Sequence, residues 1–490
     1  MNELKKIFYC SLFLLITLFS HAQKHHDSNI TINGISLLKE DSAKKVCVKE
    51  INVKGTKQTK VYIVFREIQF KKGDSLVIAH LNDELQQVRQ QVYNTTLFNE
   101  VQIAGFVNTT NDISITITVK ERWYIYPVPQ FQLVDRNFNV WAKTYHYSLD
   151  RVNYGVKFVH YNLSGRKDPL RIYFLNGYSR NISFSYTAPY SNTALTEGFS
   201  VAGGFTQNRE IAYKTSADNK VQFYPVDSAV KNKSEFVRDS WYITAGYIIR
   251  KGLFSKHVFA AGYIYLKVAD SVIASKYNPN YFKDPVNAKG YIDLMYTYQY
   301  TNVDNVLYSL KGTIAYFSVL KRGVGFTGGL NMLSVEAGLN KYYALGKNWY
   351  TSIQLNGKIK LPFNQAYLNQ RGLGYGENYL RGLEYYVVDG VAMALVRSTL
   401  RKKIFSFAVP FPFFHKVITK IPFTFFAKTY ADLGYAYNKK IYYSYLNNRL
   451  LYTGGFGIDI LTLYDVNLRL EYSFNQLNQR GLFFHSQSGF

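Results

Sequence analysis

From Trp123 to Phe490 the chain repeats one device. Segments of about ten residues with alternating apolar and polar positions are separated by polar stretches that are short and long by turns. VNYGVKFVHY, NISFSYTAPY, HVFAAGYIYL and VNLRLEYSF are examples. In the last, Val466, Leu468, Leu470, Tyr472 and Phe474 share one face, and Asn467, Arg469, Glu471 and Ser473 the other. A period of two predicts strands with one apolar side. Residues 123–490, divided by roughly 23 per strand plus connection, give about 16 strands, an even number as single-chain bacterial barrels require. Short connections at 162–166, 188–190 and 462–465 fall at one end. Longer ones near 210–236, 269–288, 362–390 and 438–450 fall at the other.

Before this region the period changes. Val48 to Val53 predicts a strand, and Lys54-Gly55-Thr56 a turn. Val61, Val64, Phe65 and Ile68 then recur at i, i+3, i+4 and i+7, which predicts one face of a helix. After the break at Lys72-Gly73-Asp74, a second helical face carries Leu81, Leu85, Val88 and Val92. Phe98 to Phe106 predicts a strand, and DISITITVKE alternates strictly, with Ile113, Ile115, Ile117 and Val119 on one side. The predicted order is β-α-α-β-β over residues 46–122.

The N-terminus changes the compartment. Lys5 and Lys6, an apolar run from Ile7 to Phe19 and the small residues Ser20 and Ala22 have the layout of a cleaved secretory signal over residues 1–22, followed by a linker, 23–45. Cys10 lies before the apolar run, badly placed for lipoprotein processing. Removal of the signal leaves Cys47 alone, excluding an intramolecular disulfide or a multi-cysteine metal site. No later stretch has the roughly 18 consecutive apolar residues of a spanning helix. The 44 Tyr and 35 Phe accompany a mean hydropathy of only −0.16, the combination expected when lipid-facing and lumen-facing residues alternate and aromatics gather at the interfaces. A net charge of +25 would suggest nucleic acid in a cytoplasmic protein; behind a signal peptide it fits a basic lumen or loops against anionic lipid, with no nucleic-acid partner.

INVKGTKQTKVYIVFREIQFKKGDSL, QVYNTTLFNEVQI and ISITITVKE together resemble a POTRA domain, the periplasmic module of BamA-type outer-membrane proteins. The resemblance to this bacterial surface-antigen family covers essentially the whole mature chain. It implies one POTRA (46–122) before a 16-stranded transmembrane β-barrel (123–490). It also implies a function in inserting or translocating unfolded outer-membrane or surface protein clients, with accessory lipoproteins also open as partners. In that family, a loop tip of Arg-Gly-aromatic type folds into the lumen and meets an acid in an aromatic-x-Asp-x-Gly segment. Here LRGL places Arg381 and Gly382 at the tip, with Leu383 in place of the aromatic, and TYADLGYAY supplies Asp432. The residues alone leave Arg381 open to catalytic, solvated-loop and structural roles; the resemblance implies a pin on the inner wall. It further implies a weak seam between the first and last strands, here Phe131 to Trp141 and Leu482 to Phe490, including Phe484 and Gly489. An exposed POTRA edge, Phe98 to Phe106 with Val101 and Ile103, is expected to take clients by β-augmentation.

Other chemistry is thin. His25-His26-Asp27 reads as a solvated tail, and Gly372 to Gly376 lacks the strand-to-helix context of a phosphate loop. No nucleophile elbow, paired-carboxylate motif or zinc-ligand spacing stands out, so the sequence predicts neither enzyme, cofactor nor metal. Two rivals remain: a two-partner-type secretion pore, which would usually carry two POTRA modules and a plug helix, and a passive solute porin.

Overall fold

The computed structural model describes residues 30–33, 44–108, 110–133, 146–225, 236–323, 330–410, 420–439 and 444–487. The expected signal peptide, His25 to Asp27, Trp141, Gly489 and Phe490 lie outside them.

The N-terminal unit comprises β1 (Ile30–Asn33), β2 (Lys45–Lys54), α1 (Val61–Phe65), β3 (Ser75–Val77), α2 (Ile78–Tyr93), β4 (Phe98–Val107) and β5 (Asp112–Glu121). Its sheet runs β1-β4-β5-β2-β3, with β4 and β5 an antiparallel hairpin and β2 parallel to β5. Ile113, Ile115, Ile117 and Val119 point into a core completed by Leu81, Leu85, Val88 and Val92 of α2. Both periodicities in the sequence meet there. Gly55 turns the chain after β2 at φ +93°, and a Cβ on it would lie 2.0 Å from the Val119 carbonyl oxygen, so the turn admits only glycine.

Three details depart from the sequence reading. Residues 30–33, expected as linker, form β1 and pair in parallel with Ile103 to Phe106, so the edge expected to be free is already occupied over those four residues. Residues 75–77 add β3 on the opposite side. The first helix ends at Phe65: Ile63 and Val64 are buried while Val61 and Phe65 are exposed, so the core-facing positions are not the expected set. A single turn has too few residues to fix its own face, and packing decides it.

Residues 122–124 lead straight into the barrel, a 16-stranded sheet in which every neighbour is antiparallel and consecutive along the sheet. It runs from strand 1 (Ile125–Leu133) to strand 16 (Arg480–Gln487). Among the described residues no ladder joins these two end strands. No described helix is long and apolar enough to cross a membrane. Outward positions carry exposed Phe, Tyr, Leu and Ile. On strands 12 (Ala392–Pro410) and 13 (Lys420–Tyr437), Phe405 stacks on Phe425 and Phe407 on Phe423 at centroid distances of 4.5 and 5.4 Å, an interfacial aromatic cluster near the short-turn end.

The N-terminal unit is clamped onto five short turns at that end. Glu67 takes a two-pronged pair from Arg250, with Nη2 donating to Oε2 at 2.7 Å, and Tyr190 donates to it as well. Burial would raise the Glu67 carboxyl, but the Arg250 hydrogen bonds and charge outweigh it and hold it below the usual carboxylate range. Asp465, at φ +57°, accepts from Arg122 (3.0 Å), Tyr93 (3.1 Å) and Asn305 (2.8 Å). Burial and the Asp465 charge push the Tyr93 phenol up, so it stays a donor. Asn94 donates to the Val303 carbonyl at 2.7 Å, and Gln58 to that of Asn162.

Candidate functional site

The connection from residue 362 to 391 joins strands 11 (Trp349–Leu361) and 12 and folds inward rather than out to solvent. Backbone pairing alone cannot hold so long a segment. A short hairpin, Arg371–Leu373 against Val388–Asp389, gives it a frame. Leu373, Leu380, Leu383 and Val388 pack on Met393, Leu395, Ala436 and Leu451 of the wall and on Leu446 of a neighbouring loop. The Lys360 ammonium donates to the carbonyls of Asn369 (2.8 Å), Gly390 (3.3 Å) and Arg371.

The tip carries the charge. Arg381 is 7% exposed and Asp432 fully buried. Nε and the backbone N–H of Arg381 donate to Asp432 Oδ2 at 2.9 and 3.0 Å, and Nη2 donates to Oδ1. Nη1 donates to Thr399 Oγ1 at 3.0 Å and Nη2 to the Ser398 carbonyl at 3.2 Å. The guanidinium carbon lies 4.0 Å from the centroid of the Tyr430 ring, whose hydroxyl shares a hydrogen bond of 2.6 Å with Ser473. Fork, stacking plane and backbone donor together fix distance and orientation in a way a lysine cannot. Gly382 follows at φ +93°, and a Cβ there would come within 2.8 Å of Ser473 Cβ, so strain and clash both select glycine.

The pair belongs to a wider inner wall. Strand 13 sends Phe426, Lys428, Tyr430, Asp432 and Gly434 inward at period two. Lys428 meets Asp459 of strand 14 (Leu451–Leu461) and, at 2.6 Å, Glu471 of strand 15 (Asn467–Asn475). Tyr308 donates to Asp459 at 2.9 Å, and Arg401 lies 3.5 Å from it. Arg397 holds the loop from the other side, donating to the carbonyls of Glu377 (2.8 Å) and Tyr379 (3.1 Å). A lumen cavity of about 460 Å³ lies between these groups, bordered by Arg381, Arg397, Arg401, Lys428 and Glu471. Sequence reading found Arg381, Gly382 and Asp432, and put Tyr430 on the same face as Asp432, but it did not find Thr399, Arg397 or the Lys428 cluster. The signal available was the polar half of each alternating strand, where an inward charge has to be matched by another.

The other expected site residues are placed differently. Phe131, Leu482 and Phe484 stand exposed on strands 1 and 16. Phe98, Val101 and Ile103 point into the POTRA-like core, so any docking along β4 would use backbone alone, and only ahead of the stretch that β1 covers. The expectation of an open edge over Phe98 to Phe106 is corrected accordingly.

Residues 46–122 match the family model of the POTRA domain, described as a surface antigen variable number repeat. No curated protein sequence matches the chain. Among solved structures, BamA from Haemophilus ducreyi lacking POTRA domains 1–3 is similar at 14% identity and a TM-score of 0.50, over 91% of this chain and 85% of that one. CdiB from Escherichia coli is similar at 10% identity and a TM-score of 0.53, over 90% of this chain and 76% of that one. At these identities the likeness is one of fold.

Proposed function

We propose that this chain, a surface-antigen POTRA domain on a BamA-like 16-stranded barrel, assembles or translocates client proteins at a bacterial outer membrane with the POTRA on the periplasmic side. The observation that carries the reading is the long loop folded into the lumen and fastened there by Arg381 on Asp432. A passive solute channel has little use for a POTRA domain or for a loop pinned to its inner wall. The energy for client movement would come from client folding, and the seam between strands 1 and 16 would offer unpaired edges to an incoming strand.

A dedicated secretion pore is the second reading, favoured by the fold likeness to CdiB. The two differ in what the outer membrane loses. Depletion of the protein followed by quantitative mass spectrometry of the outer-membrane fraction is expected to lower many unrelated barrels if the chain is a general insertase. Loss of one or a few secreted or surface proteins would mean a dedicated export or assembly factor. An unchanged fraction would overturn both.

A further inference from the structure

We propose that Glu384, Glu471 and His485 bind one divalent transition-metal ion of the zinc class, tying the lumen loop to the last barrel strand. The three residues are remote in sequence and come from three elements: Glu384 from the loop, three positions after Arg381, Glu471 from strand 15, and His485 from strand 16.

Their geometry suits an ion. His485 Nε2 lies 3.1 Å from a Glu384 Oε1 and 3.5 Å from Glu471 Oε2, and all three ligand atoms fall within 4.8 Å of one another. Zinc binds nitrogen and oxygen at about 2.0–2.2 Å, so two of its ligands across a tetrahedral angle sit about 3.4 Å apart. The two separations from His485 already lie near that value, and the two carboxylates, within 4.8 Å of each other, would close on the ion from either side.

A second, independent observation lies in the carboxylates. The Glu471 side chain is 1% exposed; Lys428 satisfies its Oε1, but its Oε2 accepts no hydrogen bond, and the buried Oε2 of Glu384 accepts none either. Glu471 Oε1 faces Lys428 at 2.6 Å, which leaves Oε2 aimed at the imidazole. Buried carboxylate oxygens are ordinarily satisfied, and an ion among these three would satisfy them. Lys428 does not exclude a cation, because Asp459 compensates it as well. The Tyr379 ring stacks on the imidazole at 5.9 Å and 26°, fixing its plane.

The donor set selects the metal. One imidazole and two carboxylates suit zinc and its neighbours, whereas calcium takes six to eight oxygens and magnesium an oxygen octahedron. Strand 16 is one end of the sheet, so an ion here would add a bond between the edge strand and the loop that carries Arg381.

The test uses the full mature chain in detergent, purified without a histidine tag, stripped with chelator and titrated with Zn²⁺ alone by calorimetry; Co²⁺ absorption reads the coordination. The expected result is one ion per chain with a Kd of about 1 μM or tighter. His485→Gln and Glu384→Gln are each expected to weaken binding at least about 100-fold, and a His25→Ala/His26→Ala variant to bind as the wild type does. Absence of saturable binding to the wild type overturns the proposal whatever the variants do. Binding that survives both site substitutions, or that disappears with His25 and His26, overturns it too.

Discussion

Arg381 and Asp432 show what a single buried pair can be asked to do. Removing one partner of such a pair leaves an uncompensated charge and costs about 3–5 kcal/mol. Arg381→Ala is therefore expected to release the loop tip while the barrel, held by its ladders, still folds. Client insertion should fall at least about tenfold with the heat-modifiable band on gels retained, and Arg381→Lys should fall between, keeping charge but losing the fork. Wild-type insertion by Arg381→Ala would sink the pin. Glu67 makes a different test, because it lies in the N-terminal unit, outside the barrel strands. Its carboxyl titrates below the unfolded value, so the docking it supports is fully present above that value, about 4.3, and is lost as pH falls through the lower folded value. Limited proteolysis of the junction is expected to accelerate below about pH 4 in the wild type. Glu67→Gln, which leaves Arg250 unpaired, should be cleaved faster at neutral pH and lose that acid limb. Identical proteolysis of variant and wild type at pH 7 would show that the pair does not hold the junction.

Between elements, what was legible followed periodicity, and what was hidden followed packing between segments far apart in sequence. The strict alternation of Ile113 to Val119 and the helical repeat of Leu81 to Val92 each name their buried face, and both faces meet in one core. The loop between strands 11 and 12 was legible for another reason: a long polar interruption between alternating segments can only be a connection, and a resemblance supplied its tip. By contrast, nothing local marks residues 30–33 as a strand, since four residues have no period of their own and β1 exists only because β4 offers it an edge. The buried Glu67 was invisible for the same reason, its partner Arg250 being 183 positions away. The β1 pairing makes its own prediction. Ile32→Pro removes a backbone donor and distorts the short parallel ladder. Exchange of those amides within Ile103 to Phe106 that face β1 is expected to speed up by at least about tenfold, while those facing β5, and Ile113 to Val119, stay protected. Unchanged exchange at 103–106 would mean that β1 does not cover that edge.

For the molecule as a whole, the arrangement concentrates its fastenings away from one line. Five short turns are gripped by the N-terminal unit, the lumen loop is pinned to strand 13, and Lys428 links strands 13, 14 and 15. Strands 1 and 16 have neighbours on one side, yet no ladder connects them to each other among the described residues. A sheet so braced has one place to part with little loss of backbone pairing, and an unpaired strand edge is a template for another strand. If clients pass that line, a covalent bridge across it must stop them. Cysteine pairs placed between residues 125–133 and 480–487, in a Cys10→Ser/Cys47→Ser background that leaves no other thiol, are expected to abolish client insertion when oxidised and to restore it on reduction. Each variant serves as its own folding control, because the reduced form must insert clients at the wild-type rate. Full activity in a quantitatively bridged barrel would mean that the seam stays shut and that clients use the lumen, which would turn the proposed insertase into a pore.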